Sequence, residues 1–322
     1  MSPSADHIKA LVRSHASGDD TQFYAVALQV AAREARQGHH RAAADLKRLV
    51  DEARERKPVR DVTVLAQPRG DLADLVMASF PKVRIRDLVV TDVVRAKVNQ
   101  IITEQRQRHT LMAQGFSPAH RLLLEGPPGT GKTLTAAVLA TELSLPLLTI
   151  RLDSVLSKYM GETASKLRVL FDAVAEQRAV FLFDEFDALG ADRSGNDIGE
   201  ARRVLNSFLV FLEQASPESI VIAATNHSSL LDKALFRRFD QVIHYHLPDE
   251  RAAIEVLKAR LGPMVKGMIW TKITSHLFEL SHAELVKAAE TAAKRVILEE
   301  KQLVSLEGLI MSLDERNGSK DG

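Results

Sequence analysis

The chain of 322 residues carries 43 Lys and Arg against 42 Asp and Glu, a formal charge of +1, with 45% apolar residues and no cysteine. At about 100–200 residues per domain this is a globular protein of about two domains, and the absence of cysteine excludes disulfides, thiolate catalysis and thiolate metal sites. The charge balance holds locally, with ten basic and eight acidic side chains in residues 1–57 and eleven and twelve in 249–322, which argues against nucleic acid as a partner. Apolar runs such as 179–183 fall far below the ~20 residues of a bilayer span. Met1–Asp20 has no signal-peptide stretch, so a soluble, cytoplasmic protein is expected.

Residues 6–57 read as helices. Ile8, Leu11 and Val12 share one face, and Phe23, Val26, Ala27, Val30 and Ala31 recur at helical spacing. Ser17-Gly18-Asp19-Asp20 separates a first helix from a second, and Gly38-His39-His40 turns the second into a third. Rich in alanine and poor in aromatics, the module 1–57 buries modest area and suits docking to a partner. Residues 58–82, with Pro58, Pro68-Arg69-Gly70 and Pro81, break the periodicity and read as a linker, in which Leu72, Leu75, Val76 and Met77 offer one docking turn.

From Val83 the pattern changes. Short apolar runs at 121–125, 146–152, 179–184, 219–225 and 241–246 alternate with helix-length segments, which predicts an α/β domain over 83–247 built on a parallel sheet covered on both faces. After Pro248-Asp249 only amphipathic helices follow, such as 254–261 and 283–299. Residues 248–316 are therefore expected to form a helical domain and 317–322 a disordered tail.

The first strand runs into Gly126-Pro127-Pro128-Gly129-Thr130-Gly131-Lys132-Thr133, and a helix follows from Leu134. A Gly-rich turn between strand and helix points successive backbone N–H groups at phosphate oxygens, Lys132 reaches the β- and γ-phosphates, and the Thr133 hydroxyl is a Mg²⁺ ligand. Further on, the strand 179–183 ends in Asp184-Glu185. Parallel strands bring their carboxyl ends to one edge, so this pair faces the phosphates, Asp184 toward Mg²⁺ and Glu185 toward the attacking water. ATP and Mg²⁺ are the expected ligands.

At these residues the sequence resembles the AAA+ superfamily, and within it the classical AAA ATPases, over about 83–317. The run 181–189, Phe-Leu-Phe-Asp-Glu-Phe-Asp-Ala-Leu, looks like their Walker B strand, Ala223-Ala224-Thr225-Asn226 like their sensor-1 strand end, and 231–240 like their second region of homology. The resemblance implies a five-stranded αβα P-loop domain with a four-helix lid, assembled as a hexameric ring. It implies that Asn226 orients the water held by Glu185, with helix capping as the bland alternative. It also implies that Arg237 or Arg238 reaches a neighbour's ATP. The family spaces two such arginines with Pro-Gly, whereas here they are adjacent, so either is the candidate finger, with a surface salt bridge as the alternative for one of them. Asp87-Leu88-Val89-Val90 replaces the family's Asp-Val-Gly-Gly, and Ser281-His282-Ala283-Glu284-Leu285 resembles its lid start, so the nucleotide-binding set becomes Val89, Pro127, Pro128, Gly129, Thr130, Gly131, Lys132, Thr133, Leu134 and Ala283. His282 reads as a helix-start residue.

Ser157-Lys158-Tyr159-Met160-Gly161-Glu162-Thr163 reads as a loop whose Tyr-Met pair is either core or exposed. Its position resembles the first pore loop of ring ATPases, which implies that Tyr159 and Met160 grip an extended polypeptide; 192–200 corresponds to a second channel loop. The amino-terminal segment also looks, less specifically, like bacterial AAA ATPases encoded beside a subtilisin-like protease, with the helical hairpin of trafficking-type AAA proteins as the competing analogy. The expectation is an ATP-driven protein-remodelling motor recruited through its N-terminal helices to a separate protease or adaptor. A nucleic-acid motor or loader and an ATP-dependent switch or adaptor are the alternatives.

Overall fold

The computed structural model describes residues 9, 20–36, 38–55, 70–156, 162–189, 198–227 and 233–318. Its contacts divide the chain into two compact units, Met1–Asp61 and Val62–Gly322. In the first, α1 (Asp20–Arg36) and α2 (His40–Glu55) form a hairpin. Ala27, Val30, Ala31, Ala43 and Val50 are buried, small side chains that allow close approach and remove little apolar area from water. Gly38 makes the turn at φ 87, a left-handed conformation that favours glycine. The expected first helix falls almost wholly outside the described residues.

The second unit opens with α3 (Asp71–Leu75) and β1 (Val76–Ser79), then α4 (Asp92–Arg106), α5 (Arg108–Ala113), β2 (Arg121–Glu125) and α6 (Lys132–Leu143). β3 (Leu147–Ile150), α7 (Leu152–Val155), α8 (Glu162–Glu176), β4 (Val180–Phe183) and α9 (Ile198–Glu213) follow, then β5 (Ile220–Thr225), α10 (Lys233–Phe236) and β6 (Gln241–His244). One sheet has the order β1-β3-β4-β5-β2-β6, parallel except for β1. Side chains alternate across it with period two. Leu123, Leu148, Phe181, Phe183 and Val221 meet α8 and α9 on one face; Leu122, Leu124, Leu182, Ile222 and Ala224 meet α4 and α6 on the other.

The five expected parallel strands are present, and the sheet gains a sixth from the segment 58–82 read as a linker. Within it Asp71–Leu75 is helical, and β1 pairs antiparallel with β3, Val76 opposite Ile150 and Ser79 opposite Leu147. Leu72, Leu75 and Val76 are buried as the docking turn required, while Met77 is exposed. Burying those three side chains outweighs the local breakers, and an edge position asks for only one partner strand.

The helical domain consists of α11 (Glu250–Leu261), α12 (His282–Leu298) and α13 (Leu306–Gly318), with three short 3-10 turns where a fourth helix was implied. Helix α13 takes in Asn317 and Gly318, which had been assigned to the disordered tail. Leu257, Ile273, Leu285, Ala289, Leu309 and Leu313 form a separate core. Asp249 caps α11, accepting from the Ala252 N–H at 2.7 Å, and Ser281 with Glu284 forms a capping box on α12, each contributing about 1 kcal/mol. Among the described residues no helix is long and apolar enough to cross a membrane.

Candidate active site at the carboxyl edge of the sheet

Strand β2 delivers its last residue, Glu125, to the glycine-rich loop, and α6 begins at Lys132. Gly126 has φ 145, and a Cβ there would lie 2.2 Å from the Tyr245 carbonyl oxygen, so no side chain fits. A Cβ on Gly129 would lie 2.7 Å from the Ser281 Oγ. The loop is therefore packed between β6 and the start of α12, with its curvature set by glycine. Thr130 Oγ1 closes it by donating to the Pro127 carbonyl at 2.7 Å.

Lys132 is buried, and its Nζ donates to the carbonyls of Gly126 at 2.7 Å and Pro127 at 2.8 Å. Burial lowers its pKa, while the nearby carboxylates of Asp184 and Asp187 act in the opposite direction. The ammonium thus spans the mouth of the loop on weak acceptors that a triphosphate, with full negative charge, would replace.

Asp184 and Glu185 follow β4, which lies one strand away from β2, with β5 between. Thr133 Oγ1 donates to Asp184 Oδ2 at 2.7 Å across that gap. A hydroxyl and a carboxylate in contact are hard oxygen donors of the kind Mg²⁺ takes when phosphates and waters complete its shell, and the residues fit the ion. Among the described residues no cluster of three or more His, Asp or Glu forms a self-sufficient metal cage. Glu185 is exposed at φ 51, a conformation costing a non-glycine residue about 1–2 kcal/mol, and its N–H donates to Asp184 Oδ1 at 3.0 Å. The strained backbone turns the two adjacent carboxylates to different tasks.

Asn226 leaves β5 on the same edge. Asp187 accepts from Thr225 Oγ1 at 2.9 Å and from the Asn226 N–H at 3.3 Å, tying the end of β5 to the turn after β4. Asp187 lies inside the run 181–189, but no local signal assigns it this role, because its partners are 38 and 39 residues away. Tyr245 was also missed. Its hydroxyl donates to Thr135 Oγ1 at 2.7 Å inside the core, and burial pushes its pKa up to about 12. A pocket of about 580 Å³ beside the loop is lined by Glu125, Gly126, Pro127, Pro128, Asn226, His244, Tyr245 and His246.

The helical domain closes the other side, where the Ala283 N–H donates to the Gly129 carbonyl at 3.0 Å. Val89 packs on the helical domain's core and Leu88 reaches toward Gly131, so Val89 and Ala283 lie on the side of the phosphate loop that the helical domain covers. His282 is the first residue of α12; burial lowers its pKa, and neither ring nitrogen has a hydrogen-bond partner.

Arg237 and Arg238 do not join this group. Both are exposed before β6, which runs parallel to β2 with Gln241 opposite Leu122, so they stand at the amino edge of the sheet, a strand length from the phosphate loop of their own chain. Tyr159, Met160 and most of 192–200 lie outside the described residues.

Residues 122–247 match the family model described as ATPase family associated with various cellular activities, AAA. The chain is 36% identical over 205 residues to an uncharacterized AAA family ATPase, y4kL, of Sinorhizobium fredii, covering 63% of this chain and 62% of that protein. It is 32% identical over 230 residues to the ATP-dependent zinc metalloprotease FtsH 3 of Phytoplasma mali (68% and 38% covered). To the proteasome-activating nucleotidase of Pyrococcus horikoshii it is 34% identical over 215 residues (64% and 54% covered). The chain thus spans less than two thirds of each of these relatives. The FIGL-1 AAA domain superposes with a TM-score of 0.60 at 21% identity, over 77% of this chain and 90% of that one, a likeness of fold. A glycine-rich phosphate loop against a strand-end carboxylate on a mostly parallel sheet is the arrangement of a P-loop nucleotide-binding domain. Within that class, residues 122–247 are similar to the AAA ATPase family.

Proposed function

We propose that the chain hydrolyses ATP at the Lys132–Asp184–Glu185 site to remodel polypeptides, working as a ring of copies, a hexamer by resemblance. Lys132 exchanges the Gly126 and Pro127 carbonyls for the β- and γ-phosphates, and the loop amides with the N-terminus of α6 hold the remaining oxygens. Thr133 and Asp184 would hold Mg²⁺, which supplies charge neutralisation between the β- and γ-phosphates. Glu185, exposed beside that pair, takes a proton from the attacking water, and the Asn226 side chain orients the water. Val89 and Ala283 flank the nucleotide on the side of the helical domain. The observation that carries this reading is the Thr133–Asp184 hydrogen bond across an intervening strand, with Glu185 next in the chain.

The polypeptide is assigned to Tyr159 and Met160, and recruitment of a separate protease or adaptor to the helices of 1–57. Two relatives bear names that join ATP use to proteolysis, a zinc metalloprotease and a proteasome-activating nucleotidase, which favours polypeptide over nucleic acid as the substrate. The near-neutral charge favours it too. The test is ATP turnover with and without an unfolded polypeptide or DNA. Stimulation by polypeptide, lost in Tyr159→Ala, is the expected result; stimulation by DNA alone supports the nucleic-acid alternative, and no response to either supports the switch.

A further inference from the structure

The first residue beyond β6 touches both ends of the glycine loop. Tyr245 extends the β6–β2 ladder by one step, its N–H donating to the Glu125 carbonyl at 2.7 Å, and its backbone and Cβ fill the space where Gly126 has no side chain. Its ring is buried in the core on the α4 and α6 face of the sheet. There the hydroxyl donates to Thr135 Oγ1 at 2.7 Å, in the first turn of α6. Thr135 is fully buried and passes the bond on. Its Oγ1 donates to the Gly131 carbonyl at 3.0 Å, which also accepts from the Thr135 N–H at 2.9 Å. One side chain and one relay hydroxyl thus span from Gly126, where the loop opens, to Gly131, where it closes onto α6. Those two glycines have φ 145 and 103, so neither end is set by a side chain of its own.

We propose that Tyr245, acting through Thr135, is a positioning residue that sets the span of the phosphate loop before a triphosphate arrives. The inference rests on the ATP reading of the loop and goes beyond it, since neither residue is among those assigned to phosphate, Mg²⁺ or water. Glycine leaves a loop free to take several widths, and time spent in any width but the binding one subtracts from affinity. At the opening end the loop is tied by Lys132, on the Gly126 and Pro127 carbonyls, and by Thr130. Lys132 gives up its carbonyls when it moves to the phosphates. The Tyr245–Thr135 strut uses no group that the ligand takes, so it holds the span through that exchange. A single buried hydrogen bond biases such an equilibrium by about threefold to tenfold. Once phosphates fill the loop they hold its width themselves, so the strut acts on binding and not on the chemical step.

The test is equilibrium titration of the full chain with MgATP, with thermal melting and steady-state turnover on the same preparations. Tyr245→Phe keeps the ring and removes the hydroxyl. It should raise the Kd and KM for ATP by about threefold to tenfold, with kcat within about twofold of the parent. Thr135→Ser keeps the hydroxyl and loses a buried methyl group, so it should lower Tm while the Kd stays within about twofold of the parent. Thr135→Val removes both links and should weaken ATP at least as much as Tyr245→Phe. Adding Tyr245→Phe to it should weaken ATP no further, because Tyr245 acts only through that hydroxyl. Affinities that follow Tm across the set, with Thr135→Ser binding as weakly as Tyr245→Phe, overturn the proposal and return the pair to core packing. Additive losses in the double variant overturn it too. Should Thr135→Val not fold, Tyr245→Phe and Thr135→Ser decide. Lys132→Ala separates the two levels: if it binds MgATP as the parent does, the ATP reading fails and the strut with it. If it loses ATP while Tyr245→Phe keeps the parental Kd, the strut alone fails.

Discussion

The two ends of β2 are built on opposite terms. At its entry, Arg121 and His120 meet Asp240, and every polar atom of that carboxylate is engaged by side chain and backbone. At its exit the chain passes into Gly126, Gly129 and Gly131, all at positive φ, with a buried lysine on two carbonyls and a strained Glu185 nearby. One end holds the sheet in register; the other keeps strain and weakly satisfied charge where a triphosphate can use them. Polar groups placed for stability are paired within the chain, whereas groups placed for chemistry wait for a ligand.

That contrast can be broken from either side. Lys132→Ala removes the cationic partner of the phosphates and should weaken ATP binding by about 3–5 kcal/mol, read by equilibrium titration. Gly126→Ala forces a methyl group against the Tyr245 carbonyl; a loss of about 3 kcal/mol in denaturant unfolding is expected, since backbone must move on both sides.

At the entry end the latch makes a pH-dependent prediction. Burial works against the Asp240 carboxylate, but hydrogen bonds from the Arg121 side chain and from the His120 and Arg121 N–H groups outweigh it, and its pKa lies below the ordinary value. A group depressed in the folded state contributes stability above its unfolded pKa of about 3.9 and loses it as pH falls through the folded value. Asp240→Asn should therefore cost about 2 kcal/mol at neutral pH, and the difference from the parent should shrink in unfolding curves taken below about pH 4.

The smallest expected effect has the opposite sign. Asn tolerates the left-handed region better than Glu, so Glu185→Asn should gain about 0.5–1 kcal/mol of stability while abolishing turnover. A destabilised variant would mean that Glu185 is held by interactions rather than strained.

The exit end was legible in the sequence because its signal is contiguous: a glycine pattern, a lysine and a threonine between strand and helix. Asp184 and Glu185 were legible because parallel topology fixes which ends of strands meet. The entry end was not, since an aspartate opening one strand says nothing about the arginine 119 residues earlier that opens its neighbour. Asp187 and Tyr245 escaped for the same reason. β1 escaped because four residues, Val76-Met77-Ala78-Ser79, between Pro68 and Pro81 carry too little alternation to mark an edge strand. The ion pair of Arg238 escaped too, since Glu213 lies on another element that no local spacing indicates.

ATP hydrolysis at this site, as proposed, needs Glu185 as the base that activates water beside an otherwise intact phosphate site. The direct measurement is ATP affinity and phosphate release by Glu185→Gln on one preparation. The expected result is parental ATP affinity with turnover lowered by at least about a hundredfold, the low end of general-base contributions. Normal phosphate release from the bound nucleotide would contradict it.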